Sequence, residues 1–139
     1  MERNRLIIDS VYTSWEAGDL GSMLNRFSET VAFAAHPSSE TSYVGQGRGK
    51  ALLHRRLTRF LSDIQVVDYE TSSVMVRAGW IDCRVCYHYR DRKTQMEIDG
   101  TQRHQWRLVG GEVVRFDIIH DARRFGAFLD LAARIAAVQ

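Results

Sequence analysis

A chain of 139 residues is sized for one domain. It is 45% hydrophobic and 26% charged, enough apolar content for a core and too much for a disordered segment. Its 19 basic and 17 acidic residues leave a formal net charge of +2, so the charge balance makes no case for nucleic acid or a membrane surface as partner.

From the N-terminus, Ile8, Val11, Tyr12 and Trp15 repeat at i, i+3, i+4 and i+7, which predicts an amphipathic helix over residues 2–17. The apolar run Leu6 to Ile8 is too short for a signal-peptide core, and no run approaches the ~20 residues of a membrane span. A cytoplasmic protein is the expectation. Gly18 suits the end of the first helix, and Asp19 suits the cap of a second. Leu20, Met23, Leu24 and Phe27 place that second, short helix up to about Ser28. Val31 to Ala35 reads as a strand, and residues 36–42 as a polar loop opened by His36-Pro37. Tyr43-Val44 reads as a short strand before Gly45, Gly47 and Gly49. A third helix carries Leu53, Leu57, Phe60 and Leu61 on one face.

From Ile64 onward the period changes to two, predicting strands at 64–76, 80–90, 95–108 and 112–120. Turns fall at Ala78-Gly79, Arg90 to Lys93 and Gly110-Gly111. Residues 122–137 form a last helix, with Phe125, Phe128, Leu129, Ala132 and Ala136 on one side and Asp121 as its N-cap. Helices segregated from a long antiparallel meander indicate an α+β fold in a single domain, 1–139.

Two motifs carry less than they promise. Cys83 and Cys86 form C-x-x-C, but inside an alternating strand they point to opposite faces and cannot share a metal. Gly45-Gln46-Gly47-Arg48-Gly49-Lys50 resembles a phosphate loop, but Val44 and Ala51 stand where a Walker A needs Gly and Ser/Thr. A tight turn into the third helix is the better reading. The histidines are scattered without metal-ligand spacing, so neither metal nor cofactor is expected.

Several segments resemble the nuclear transport factor 2-like superfamily, especially its SnoaL-like and ketosteroid isomerase-like members. They are Trp15-Glu16-Ala17-Gly18-Asp19-Leu20, Phe27-Ser28-Glu29, Gly45-x-Gly47-x-Gly49-Lys50-Ala51, and Gly111-Glu112-Val113-Val114 with Phe116 and Asp121. The resemblance spans almost the whole chain. It implies a cone of the cystatin-like α+β type, a curved antiparallel sheet around three helices plus a C-terminal helix, with a cavity at the wide end. It also implies a homodimer that pairs through the outer sheet face. Carried over by position, the tyrosine of ketosteroid isomerase chemistry falls on Val11. The carboxylate base falls on Ala35, or on His36 after a slip of one, and the protonated Asp falls on His104, or on Arg103 without a gap. No carboxylate stands at either acid position, so that mechanism in its usual form is not expected.

Strand alternation gives the candidate site. Met96, Ile98, Gly100, Gln102, His104, Trp106 and Leu108 share one face; Glu97, Asp99, Thr101, Arg103, Gln105 and Arg107 share the other. In the last strand Val114, Phe116, Ile118 and His120 are expected inward. His104, His120 and His36 are therefore candidate acid/base residues, since imidazole exchanges protons near neutral pH. Tyr12, Trp15, Phe27, Phe33, Tyr43, Tyr87, Gln102, Trp106, Phe116 and Ile118 are the candidate ligand-binding residues. The implied function is an isomerase, cyclase or hydrolase acting on an apolar carbonyl- or hydroxyl-bearing small molecule. A non-catalytic small-ligand module, or an accessory subunit of the same fold, stands beside it. The mixed outer face of Asp82, Arg84, His88, Glu97, Asp99, Arg103, Arg107, Arg115 and Asp117, broken by Trp80 and Ile119, suits the homodimer interface.

Overall fold

The computed structural model describes residues 2–37 and 43–138. Among these the order is α1 (Glu2–Glu16), α2 (Leu20–Met23), β1 (Phe27–His36), β2 (Gln46–Arg48), α3 (Lys50–Asp63), β3 (Ile64–Arg77), β4 (Trp80–Asp91), β5 (Glu97–Val109), β6 (Glu112–His120) and α4 (Ala122–Ala137). A 3-10 turn, Leu24–Arg26, joins α2 to β1. The strands form one sheet in the order β2-β1-β6-β5-β4-β3. The sheet is curved and does not close, which gives the α+β cone. Register shifts between Val66 and Asp68, Thr71 and Ser73, and Arg107 and Leu108 bend it.

One face of this sheet is buried under the helices. On β4 that face is Ile81, Cys83, Val85, Tyr87 and Tyr89; on β5 it is Ile98, His104, Trp106 and Leu108. Helix α1 presents Ile8, Val11, Tyr12 and Trp15 to it, α3 presents Leu53, Leu57 and Phe60, and α4 presents Phe125, Phe128 and Ala132. Burying each of these larger side chains contributes about 1.5–3 kcal/mol. Both expected caps form. Asp19 Oδ1 accepts the Ser22 N–H at 3.1 Å, and Asp121 Oδ1 accepts the Arg124 N–H at 3.1 Å. Cys83 is buried and Cys86 exposed, on opposite faces.

The structure departs from the sequence reading at four places. The ladder β1–β6 is parallel, where the meander implied antiparallel pairing throughout. A parallel pair needs only a long crossover, and everything from β2 to β5 supplies one. Strand β1 starts at Phe27, not Val31, because Phe27 pairs with Val113 while α2 stops after one turn. The short strand is Gln46–Arg48 rather than Tyr43-Val44, since Tyr43 takes a positive φ of 58°. Val113, not Val114, is the fully buried valine of β6. The bulge opposite Arg107 and Leu108 inserts Val114 as the extra residue. The loop expected over 36–42 lies, from 38 onward, outside the described residues.

Gly100 faces Tyr87 across the β4–β5 ladder. A Cβ there would stand 2.6 Å from the Tyr87 hydroxyl and 2.8 Å from its Cζ. Gly100→Ala is therefore expected to lower stability by about 1–3 kcal/mol through overpacking. Urea melts would read the loss, and an unchanged midpoint would show that Tyr87 is free to move aside.

Candidate active site

A cavity opens between the inner sheet face, α1, α3 and the first turn of α4. Its wall is aromatic: Tyr12 and Trp15 from α1, Phe60 from α3, Tyr69 from β3, Tyr87 and Tyr89 from β4, Trp106 from β5, Phe116 from β6 and Phe125 from α4. Tyr87 and Tyr89 stack at 4.2 Å, and Trp106 and Phe116 at 4.0 Å. Gln102, His104 and His120 are the polar residues with side chains other than phenol or indole in this wall. About 70 Å³ of it is open to the centre of a water-sized group, several times the ~10–15 Å³ that holds one water.

The floor is a directed chain of hydrogen bonds. The Trp106 indole N–H can only donate, and it donates to Tyr12 Oη at 3.0 Å. Tyr12 Oη lies 2.7 Å from His104 Nδ1, and His104 Nε2 lies 2.9 Å from Gln102 Oε1. With Gln102 Oε1 as acceptor, the ring proton of a neutral His104 sits on Nε2. Its Nδ1 then accepts the Tyr12 proton. Burial alone drives the His104 pKa down to about 3, so the ring is neutral in the folded protein. Burial also pushes the Tyr12, Tyr69, Tyr87 and Tyr89 phenols up, and the Cys83 thiol up to about 11. The deep part of the site thus carries no formal charge. Among the described side chains, Trp15 Nε1 is the buried polar atom without a hydrogen-bond partner.

The mouth holds a second polar pair. Gln102 and His120 are directly opposed in the β5–β6 ladder, and both reach the cavity. His120 Nε2–H donates to the Pro37 carbonyl at 3.1 Å, which leaves Nδ1 as the acceptor of the neutral ring. Gln102 spends its carbonyl on His104 and keeps its amide N–H groups.

Of the residues expected from sequence, His104, His120, Tyr12, Trp15, Tyr87, Gln102, Trp106, Phe116 and Ile118 line this cavity. Four others do not. His36 is turned to the outer face, where its Nε2 meets Asp117 Oδ1 at 2.8 Å. Ala35 takes the inward position, so the strand has not slipped by one. Phe27 stands behind the wall, edge-on to Trp106 at 5.9 Å. Phe33 packs under Gly47 and Leu52, with Arg56 over its ring at 5.6 Å. Tyr43 donates to Asp63 Oδ2 at 2.9 Å and lies one ring removed, against Phe60. Val11, the position reached by carry-over, is buried in the core outside the cavity wall, while its neighbour Tyr12 lines the cavity. Met23, Val44, Leu57, Phe60, Tyr69 and Phe125 are cavity residues that were not among the candidates from sequence. Among the described residues, no group of three His, Cys, Asp or Glu side chains comes together as a metal site.

The buried imidazole links stability to pH. Its folded pKa of about 3 lies below the ordinary value near 6.5, so the unfolded chain takes the proton first as pH falls. The His104 contribution is complete above pH 6.5 and is lost progressively toward pH 3, by at most about 1.4 kcal/mol per unit. His104→Asn keeps an acceptor near Tyr12 and removes the titration. The stability gap between the native chain and this variant is expected to shrink from pH 7 to pH 5 in urea melts. A constant gap would mean the folded ring titrates like the unfolded one.

No family profile matches the chain, and no curated protein does. Solved structures do. The fold is similar to an NTF2-like protein of unknown function from Burkholderia pseudomallei K96243, at 14% identity over 89% of this chain and 95% of that one, with a TM-score of 0.76. It is similar to TerC co-crystallised with polyporic acid, at 14% identity over 92% and 98% of the two chains, with a TM-score of 0.79. It is also similar to a protein of ketosteroid isomerase-like fold from Catenulispora acidiphila DSM 44928, solved with trimethylamine. That likeness has 11% identity over 83% and 85% of the chains and a TM-score of 0.70. At such identities a likeness speaks for fold alone. By it, the chain has the nuclear transport factor 2-like fold, in the form shared with SnoaL-like and ketosteroid isomerase-like proteins.

Proposed function

We propose that this protein binds an apolar, ring-bearing small molecule with one carbonyl or hydroxyl group and moves a proton on it. The reaction class is that of an isomerase or cyclase. The observation that carries this reading is the opposed pair Gln102 and His120 at the mouth of an uncharged aromatic cavity. The Gln102 amide N–H donates to the ligand oxygen. His120 Nδ1 takes a proton from the carbon beside a ligand carbonyl, the C–H electron pair becomes the C=C bond, the carbonyl π pair moves onto the oxygen, and imidazolium and enolate form together. In a ligand whose carbonyl has a neighbouring C=C, the enolate is a dienolate, and return of the proton at its far carbon completes an isomerisation. Trp15 Nε1, unpartnered in the same wall, is a further donor for a ligand oxygen. Two structures of the same fold were solved with small molecules, polyporic acid in one and trimethylamine in the other.

His104 has a different part in this scheme. A base with a pKa near 3 and both nitrogens hydrogen-bonded is a poor proton acceptor at neutral pH. It holds Gln102 and Tyr12 in place. The second reading, a binding module without chemistry, is favoured by the absence of any carboxylate among the described cavity residues.

The test is solvent deuterium exchange next to the carbonyl of cyclic aryl ketones, followed by proton NMR, beside binding read from tryptophan fluorescence. His120→Ala is expected to slow exchange by about 10²–10⁴-fold while binding is kept. Binding without exchange in the native chain would reject the enzyme and leave the module.

We propose further that this is a cytoplasmic protein and that it forms a homodimer through the outer sheet face. Arg84 opposes Arg103 and Arg107 opposes Arg115 in register, with Asp82 and Asp117 in the row between, and Ile119 is exposed. Light scattering is expected to give twice the chain mass of 16.0 kDa. A value equal to the single chain would overturn the dimer.

A further inference from the structure

His36 lies outside the cavity, yet its surroundings are built. Asp117 is turned to the outer sheet face but is only 5% exposed. Arg115 and His36 close over it. Arg115 Nε donates to Oδ2 at 2.8 Å and Nη2 to Oδ1 at 3.0 Å, and His36 Nε2–H donates to Oδ1 at 2.8 Å. A carboxylate so buried is stabilised by such charge-assisted, bidentate pairing, and it fixes its partners in return. His36 is the last residue of β1, beside β6 at the pairs Ala34 with Asp117, Ala35 with Ile118 and His36 with Ile119.

The next residue is Pro37, whose carbonyl accepts the His120 Nε2–H. Two side-chain hydrogen bonds therefore tie the ends of β1 and β6 on opposite faces of one ladder. The outer bond runs from His36 to Asp117. The inner bond runs from His120 back to the residue after His36. Proline has no N–H, so Pro37 adds no donor of its own to hold the chain there.

We propose that the clasp of His36, Asp117 and Arg115 positions His120. It anchors the end of β1 so that the Pro37 carbonyl stays at the His120 ring. This carbonyl selects the tautomer with the proton on Nε2 and the lone pair on Nδ1. The inference rests on the assignment of His120 as the proton acceptor of the cavity. His36 is then a positioning residue: it touches no ligand and acts through the backbone it anchors.

The test reads the tautomer itself, in the full-length chain without ligand. Long-range proton–nitrogen NMR at pH 8 resolves the two ring nitrogens of His120. The native chain is expected to show Nε2 protonated and Nδ1 bare. In His36→Leu the two shifts are expected to approach each other as both tautomers populate. His36→Gln, whose amide reaches the same carboxylate, is expected to restore the native pattern. Asp117→Asn, which removes the anchoring charge, is a second route to the His36→Leu pattern should that variant fold poorly. In the exchange assay, kcat of His36→Leu should fall about 10- to 100-fold with KM little changed. Native ring shifts in both His36→Leu and Asp117→Asn would overturn the proposal. Absence of exchange in the native chain would instead sink the enzyme reading and leave the tautomer comparison standing.

Discussion

A buried imidazole needs a partner for each nitrogen, and His104 has both only when α1 and β5 meet at one register. Tyr12 serves Nδ1 and Gln102 serves Nε2, while Trp106, two residues along the same face of β5, donates to the same phenol. An unpaired group at this depth would cost about 1–3 kcal/mol. A slide of α1 by one turn would strand Tyr12, His104 and Trp106 together. Apolar rings alone tolerate small shifts with repacking. The polar chain does not, and so it specifies how the first helix lies across the sheet.

That placement leaves space in the middle of the cone. The sheet is bent by bulges, so its inner face surrounds the helices rather than lying flat beneath them. Wide aromatic rings then meet edge-on or stacked around a gap that they do not fill. Gly100 belongs to the same design: without a Cβ it admits the Tyr87 hydroxyl, which keeps that ring in the wall. The result is a site with polar contacts at floor and mouth and apolar surface between, a distribution that orients a ligand by one end.

Much of this was legible in the sequence, and the illegible part has a common cause. Period-two alternation put Gln102, His104 and Trp106 on one face of β5, and the i, i+3, i+4, i+7 spacing put Tyr12 and Trp15 inward on α1. Both are local patterns. Depth is not local. Phe27, Phe33 and Tyr43 are turned from solvent to differing degrees, as expected of apolar rings, but packing from distant elements puts them behind the wall, while Phe60, Tyr69 and Phe125 reach it. The direction of His36 and the inward choice of Val113 over Val114 depend on the β1–β6 and β5–β6 registers, which no short window contains. Val11 and Tyr12 both face the sheet from α1, and depth separates them: Tyr12 reaches the cavity wall and Val11 stays in the core.

In the proposed reaction the two histidines of one sheet face play different parts. His104, with both nitrogens occupied and no water to solvate a cation, is held neutral far below its ordinary pKa. His120 spends one nitrogen on a backbone carbonyl and keeps the other for use. This division suits a cavity whose described wall holds no carboxylate. An ionised base at the floor would need a counter-charge and would cost desolvation before any ligand arrived. An imidazole at the mouth stands nearer solvent. In the proposed reaction it develops charge only together with the enolate, so the opposite charges arise side by side at the wetter end of the site, where solvation and the Gln102 amide both reach them.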